Sequence, residues 1–144
     1  MADSALPDPA TPFGARVRRR LREEQVIWIV TVGADGTPQP NPVGFVYQDD
    51  GSILTYNAAG AHRIDHVAAR PRVALHFDGD GAGGDIVVLT GTAHRADDAP
   101  PAHENQAWLA KYGETAAQAF GSVRDFSARF PVPLRITLTR TRGT

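Results

Sequence analysis

The segment Pro38-Gln39-Pro40-Asn41-Pro42 limits the possible folds more than any other part of the chain. Proline has no N–H. At every second position it strips one side of an extended strand of donors and leaves the other side intact. Such a segment is tolerated at a sheet edge or a barrel opening, not in mid-sheet. It follows Val26-Ile27-Trp28-Ile29-Val30-Thr31-Val32, a β-branched and aromatic run without helical spacing that reads as a buried strand. Asp35-Gly36 makes the turn between the two. Within Pro38 to Gln48, Asn41, Val43, Phe45 and Tyr47 point away from the proline side. Asp49-Asp50-Gly51 makes another turn, and Ser52 to Tyr56 reads as another strand. Two tight hairpins in succession indicate an antiparallel meander.

Three more strands follow from Val73 to Phe77, Ile86 to Ala93 and Leu134 to Thr141, the last alternating apolar and polar residues. Thr11-Pro12 reads as an N-cap followed by proline at the first helical position. Phe13, Val17 and Leu21 then repeat every four residues, with Arg16, Arg18, Arg19, Arg20 and Arg22 as a solvated face. Pro100-Pro101 opens a helical region over 102–112 with Gly113 as its stop. Ala116 to Phe120 and Val123 to Phe130 read as two further short helices. The expectation is a mainly β chain, a six-stranded antiparallel barrel, closed or partly open, with peripheral helices. Residues 1–10, with Pro7 and Pro9 and no periodicity, are expected to form a flexible tail, leaving 11–144 as one domain.

The composition removes several kinds of chemistry. A net charge of -1 over 144 residues is no footprint for nucleic acid. Cysteine is absent, which excludes disulfides, thiolate catalysis and cysteine zinc sites. The first residues lack a basic and then apolar leader, and no apolar run approaches the ~20 residues of a membrane span. A soluble, cytoplasmic protein without a membrane partner is expected. His62 and His66 share one helix face, but two ligands do not make a metal site, and His76, His94 and His103 are scattered. No metal is expected. Ser4, Ser52, Ser122 and Ser127 lack a nucleophile elbow. Asp49, Asp50, Asp78, Asp80 and Asp85 lie in apparent turns and read as turn formers. Gly79-Asp80-Gly81-Ala82-Gly83-Gly84 has dinucleotide-binding glycine spacing, but a strand follows where that fingerprint needs a helix. Trp28 and Trp108 read as core or interface residues. By elimination, a bound cofactor is more credible than a mechanism driven by side chains alone.

The stretch from Thr55 to Val73 is where such a cofactor would be held. It reads as a strand end, a small-residue turn, a short helix and the start of a new strand. Ile64, Val67 and Ala68 fall at i, i+3 and i+4, and Pro71 ends the helix. The first N–H groups of that helix, the positive end of its dipole and Arg63 together suit a phosphate. The alternative is a plain connection carrying an exposed arginine.

The pattern as a whole resembles the flavin and deazaflavin oxidoreductase superfamily, the pyridoxamine 5'-phosphate oxidase-like split β-barrels. The resemblance covers about Phe13 to Gly143. It is carried by Thr31 to Pro38 with Asn41-Pro42-Val43, by Ala61-His62-Arg63-Ile64-Asp65-His66-Val67, by Pro71-Arg72-Val73-Ala74-Leu75 and by Val88 to Ala93. Phe126 to Ile136 resembles the ending of an actinobacterial subgroup assigned to coenzyme F420. The resemblance implies a split barrel and a homodimer with two cofactor sites at the subunit interface. It implies coenzyme F420 as cofactor, with FMN as the alternative. The phosphate would lie on the turn and helix, and the Pro40 to Val43 edge would meet the ring system. The implied cofactor-binding residues are Asn41, Pro42, Val43, Tyr56, Asn57, Ala61, His62 and Arg63. The family commonly places a serine, a lysine two residues on and an asparagine three further; here these positions are Ala61, Arg63 and His66. The implied reaction is hydride transfer to a small electron-poor acceptor such as an alkene or quinone. An FMN oxidoreductase and a non-catalytic carrier or haem binder stay open as alternatives on the same barrel. No catalytic acid is assigned; Tyr47, Tyr56 and the histidines qualify by residue type only.

Overall fold

A computed structural model describes residues 5–144. The elements run α1 (Pro12–Glu23), β1 (Ile27–Val32), β2 (Pro38–Val43), β3 (Val46–Tyr47), β4 (Ile53–Asn57), α2 (His62–Ala69), β5 (Arg72–His76), β6 (Val87–Arg95), α3 (Gln106–Phe120), α4 (Val123–Arg129) and β7 (Val132–Gly143), with a 3-10 turn at Ala102–Glu104. The strands form one antiparallel sheet in the order β2-β1-β5-β6-β7-β4-β3. Laid flat, six steps of ~4.8 Å would hold the end strands about 29 Å apart. Those end strands are β2 and β3, and only Gly44 and Phe45 separate them in sequence. Two residues span about 11 Å between the flanking Cα atoms. The sheet therefore curls until its edges meet across a split with no ladder between them.

That split accounts for seven strands where the sequence suggested six. The run from Pro38 to Gln48 is broken because Phe45 turns its ring into the core, where it is fully buried against Phe77. Its backbone groups are taken up by α3 instead of a neighbouring strand. The Phe45 N–H donates to the Tyr112 hydroxyl at 2.9 Å, and its carbonyl accepts from Lys111 Nζ at 2.7 Å. Tyr112 in turn donates to the Gln25 carbonyl at 2.6 Å, tying α3 across the split.

The alternating prolines occupy the edge that the sequence assigned to them. Pro38, Pro40 and Pro42 stand opposite Val32, Val30 and Trp28, and β2 has no partner on its other side. Without N–H groups they fit only the non-hydrogen-bonded pairs of that ladder. Gln39, Asn41 and Val43 therefore face β1 with their donors. The outer edge of β2 presents carbonyls and no N–H.

Aliphatic side chains fill the barrel: Ile27, Ile53, Leu75, Leu89, Leu134 and Ile136 are completely buried. Thr11 caps α1 as the sequence indicated, its hydroxyl accepting from Gly14 N at 3.0 Å, and Val17 and Leu21 close one end of the core. Two readings at this end are corrected. Arg20 is not part of a solvated face. It is 8% exposed, donates to the carbonyls of Asp78 and Asp85, and stacks over Phe77, so it ties α1 to the loop between β5 and β6. Residues 5–10 are not a loose tail. Ala5 and Leu6 are buried, Thr141 donates to Ala5 O, and Arg18 donates to Pro7 O. Gly14 makes this packing possible, since a Cβ there would lie 1.9 Å from Asp8 O. The rest of the expected tail, Met1 to Ser4, lies outside the described residues.

A third correction concerns α3. Gly113 does not stop it. The helix runs on to Phe120 and ends at Gly121, whose φ of 89° suits a residue without a Cβ. The segment 116–120 is thus the second half of α3 rather than a separate helix, and α4 follows after the Ser122 cap. The glycine-rich loop before β6 is held by Asp80, whose carboxylate accepts from Ala82 N and Gly84 N, and it leads into a strand. Among the described residues no helix is long and apolar enough to cross a membrane.

Candidate functional site

The site starts from a backbone pairing. Asn57, the last residue of β4, stands opposite Val132 of β7 and is completely buried. Its amide nitrogen donates to Val132 O and to Thr55 Oγ1, both at 3.0 Å. This leaves Oδ1 to accept from Arg63 Nε at 2.6 Å. The guanidinium is fixed through one nitrogen, and its two terminal nitrogens remain for another partner. Burial lowers the Arg63 pKa, and no carboxylate acts to oppose that. Arginine does not lose its proton in a protein. The result is a half-buried cation with no ion-pair partner among the described residues.

Arg63 sits in the first turn of α2, whose N-cap, Ala61, makes no side-chain hydrogen bond. The opening N–H groups therefore have no hydroxyl or carboxylate of the chain folded over them. One turn on, His66 Nδ1 lies 2.8 Å from the hydroxyl of buried Thr31, which fixes the ring against β1.

Two cavities meet at the guanidinium. One, of about 460 Å³, is polar and is lined by Gln39, Asn41, Gly60, Ala61, His62, Arg63 and His66. The other, of about 230 Å³, has Pro42, Val43, Gly44, Tyr56 and Arg63 on the barrel side. Its opposite wall is α3 and α4, with Trp108, Tyr112, Ala116, Phe120, Phe126 and Phe130. Seven of the eight residues named from the sequence line these cavities. Asn41, Ala61 and His62 face the polar one, Pro42, Val43 and Tyr56 the aromatic one, and Arg63 both. Asn57 lines neither; it stands behind Arg63 and orients it.

Sequence reasoning missed the aromatic wall. Trp108, Tyr112, Thr115, Ala116, Ala119 and Phe120 fall at i, i+4, i+7, i+8, i+11 and i+12, one continuous helical face. That signal was present, but reading Gly113 as a stop cut it in half. Trp108 is 2% exposed and packs edge-on against Tyr56 at 4.8 Å between ring centroids. Its indole N–H is buried without a hydrogen-bond partner.

The tyrosine hydroxyls here are engaged within the chain. The Tyr56 hydroxyl donates to Pro100 O and accepts from Asn105 Nδ2, and burial raises its pKa. Burial pushes Tyr112 up to about 12. His103 Nδ1 contacts the buried Ser127 hydroxyl at 2.9 Å, and neither residue lines either cavity. Among the described residues no group of three His, Cys, Asp or Glu side chains gathers as a metal would require.

This curled sheet, closed across a split with a cation at a helix mouth beside it, is a split β-barrel. The family model of pyridoxamine 5'-phosphate oxidase matches residues 13–133, and the chain belongs to that family. Solved structures agree on the fold. A conserved hypothetical protein from Mycobacterium tuberculosis superposes with a TM-score of 0.68 at 17% identity, covering 95% of this chain and 87% of the other. The haem storage protein HutZ from Vibrio cholerae gives 0.61 at 13% identity, covering 90% and 92%. An F420 reductase gives 0.58 at 15% identity, covering 87% and 94%. At these identities the likeness establishes a shared fold and no more. No curated protein matches the chain in sequence.

Proposed function

We propose that the chain is an oxidoreductase that binds a deazaflavin, coenzyme F420, and reduces a small electron-poor organic acceptor. The observation that carries this reading is Arg63, a desolvated guanidinium without a counter-ion where a polar cavity meets an aromatic one. A ligand that is anionic at one end and a flat ring system at the other would match that pair of environments.

The residues fit such a group. Arg63 and the uncapped start of α2 would take its phosphate, as a helix N-terminus with a cation does in general. Asn57 keeps the guanidinium aimed at that position. Asn41, Pro42 and Val43 would lie along the ring, where the carbonyl-only edge of β2 accepts hydrogen bonds from ring N–H groups and repels other acceptors. Ala61 and His62 would border the phosphate, and Tyr56 would close the inner side. When bound, such a cofactor would supply two-electron, hydride-transfer chemistry. The chain's part is to position the group and to hold charge; no side chain is assigned as the acid.

The site is also open. Thr115 and Ala119 on the rim are exposed, and the outer edge of β2 is uncovered. A second copy of the chain would close it, and a homodimer with cofactor sites at the interface is part of this reading. Sedimentation equilibrium tests that part, and a monomer at micromolar concentration would remove it.

The decisive experiment is a parallel titration with F420, FMN and haem. Preferential binding of F420, lost in Arg63→Ala, supports the proposal. Tight FMN binding moves the chain to a flavin oxidoreductase in the same groove. Haem binding, together with no turnover over a panel of acceptors, makes it a carrier.

A further inference from the structure

We infer that Lys111 is a covalent capture site for a small aldehyde carrying a carboxylate, held as an imine in the hollow between α1, β3 and α3. This hollow shares no residue with the polar and aromatic cavities, so the inference goes beyond the cofactor reading and does not depend on it.

Lys111 is the only lysine of the chain. From α3 its amine reaches the barrel split, where it donates to the Phe45 carbonyl and lies 3.7 Å from the centroid of the Phe45 ring. It also lines a hollow of about 280 Å³ together with Leu21, Arg22, Val46, Ala107 and Ala110. The aliphatic side chains make the walls apolar, and the two alanines are short enough to leave the space open. Arg22 is exposed and pairs with no carboxylate among the described residues. No carboxylate lines the hollow among the described residues either, so an amine would lose its water without gaining a partner. A carbonyl carbon for the Lys111 nitrogen and a carboxylate for the Arg22 fork match what is there. The volume lies below the ~300–1,000 Å³ typical of sites for drug-sized ligands, which limits the occupant to a few carbons.

The chemistry of the site favours an imine. Burial lowers the Lys111 pKa to about 8, so neutral amine is at hand near neutral pH. Its nitrogen attacks the aldehyde carbon and forms the C–N bond. The carbonyl oxygen then leaves as water, taking one proton from the nitrogen and one from solvent. One aldehyde is consumed, one water is released and nothing is oxidised or reduced. The product is a cation with one N–H. That N–H can keep donating to the Phe45 carbonyl, and the Phe45 ring face and the Glu24 carboxylate both favour its charge. An amide made by acylating the same nitrogen would be neutral and would lose the ring and carboxylate contributions.

The test is cyanoborohydride trapping on the full chain, with 4-oxobutanoate as probe and butanal as its uncharged comparator of the same chain length. Reduction turns the imine into a stable secondary amine. Peptide mass spectrometry then separates Lys111 from the other primary amine, the α-amine of the chain, which serves as internal control. Lys111 is expected to be labelled ahead of the α-amine. Its labelling should half-saturate at about tenfold lower 4-oxobutanoate than butanal, as a charge-assisted contact with Arg22 would give. Arg22→Gln, at an exposed position where folding is not at stake, should remove that advantage and leave labelling by butanal unchanged. Labelling of the α-amine ahead of Lys111 would overturn the inference. So would equal half-saturation by the two aldehydes, or an advantage for 4-oxobutanoate that survives in Arg22→Gln.

Discussion

The molecule holds two apolar clusters of opposite character. The barrel interior is aliphatic and closed, with Ile29, Leu75, Leu89 and Leu134 at 1% exposure or less. The layer formed by β4, α3 and α4 is aromatic and incomplete: Tyr56 and Trp108 are buried, while Tyr112, Phe126 and Phe130 are only partly so and border empty space. Close packing of branched aliphatics leaves no room for a ligand and contributes stability. Large rigid rings meeting at 41° and 87° leave gaps that such packing would fill. The first cluster closes the fold; the second leaves a cavity beside it.

Truncation in the two clusters should separate them most widely. Leu75→Ala is expected to cost about 2–5 kcal/mol in a urea melt, as for fully buried leucines generally. Phe126→Ala, in a wall that already borders a cavity, should cost less than Leu75→Ala. If the two are equal, the aromatic layer is part of the core and the distinction fails.

Next in size is the cation at the boundary. Arg63→Ala should weaken binding of an anionic cofactor by about 1.5–3 kcal/mol, roughly ten- to a hundredfold, the usual range for a hydrogen bond to a charged group. Arg63→Lys keeps the charge but cannot hold the Asn57 contact and a ligand in the same fork, so it should fall between the two. Fluorescence titration reads both, and unchanged affinity in Arg63→Ala would remove the assignment.

A smaller effect is expected at Gly113. A Cβ there meets only Leu109 Cδ2, at 3.9 Å, and the position is helical. Gly113→Ala should add about 0.5–1 kcal/mol and raise Tm by about 2–4 °C. A lower Tm would mean the helix needs flexibility there, and the aromatic wall would then be a moving one.

The last effect is on pH dependence at the split. Burial lowers the Lys111 pKa from 10.5 to about 8, with the Glu24 carboxylate opposing. The unfolded chain then binds this proton more tightly than the folded one, so stability rises between about pH 8 and 10.5. Tyr112 acts in the opposite sense. Its pKa rises from 10.0 to about 12, so the folded state keeps a proton the unfolded chain releases, and stability falls across that window. Lys111→Met should flatten the alkaline rise in urea midpoints at about pH 7.5, 9 and 10. The same slope in Lys111→Met would place the effect elsewhere.

Local chemistry made much of the barrel legible. The β-branched run became β1, the alternating prolines marked an edge, Thr11-Pro12 started α1 and the segment before Pro71 became α2. Each depends on neighbours in sequence: propensity, a missing donor, a cap. The polar cavity at the mouth of α2 was legible in part for the same reason, since Ala61, His62 and Arg63 lie on one turn.

Long-range contacts decided the rest. Nothing near residue 20 indicates that its guanidinium reaches the carbonyl of Asp78, and nothing near residue 5 reveals Thr141 as a partner. Asn57 was named as a ligand-binding residue through the family resemblance. Only the β4–β7 register shows that it is buried behind Arg63. The aromatic chamber depends on α3 crossing the barrel split through Tyr112 and Lys111. Sequence determined which segments extend, turn and coil, because those preferences are local. Tertiary structure decided which side chains share a cavity, because that depends on how a curled sheet brings distant residues together.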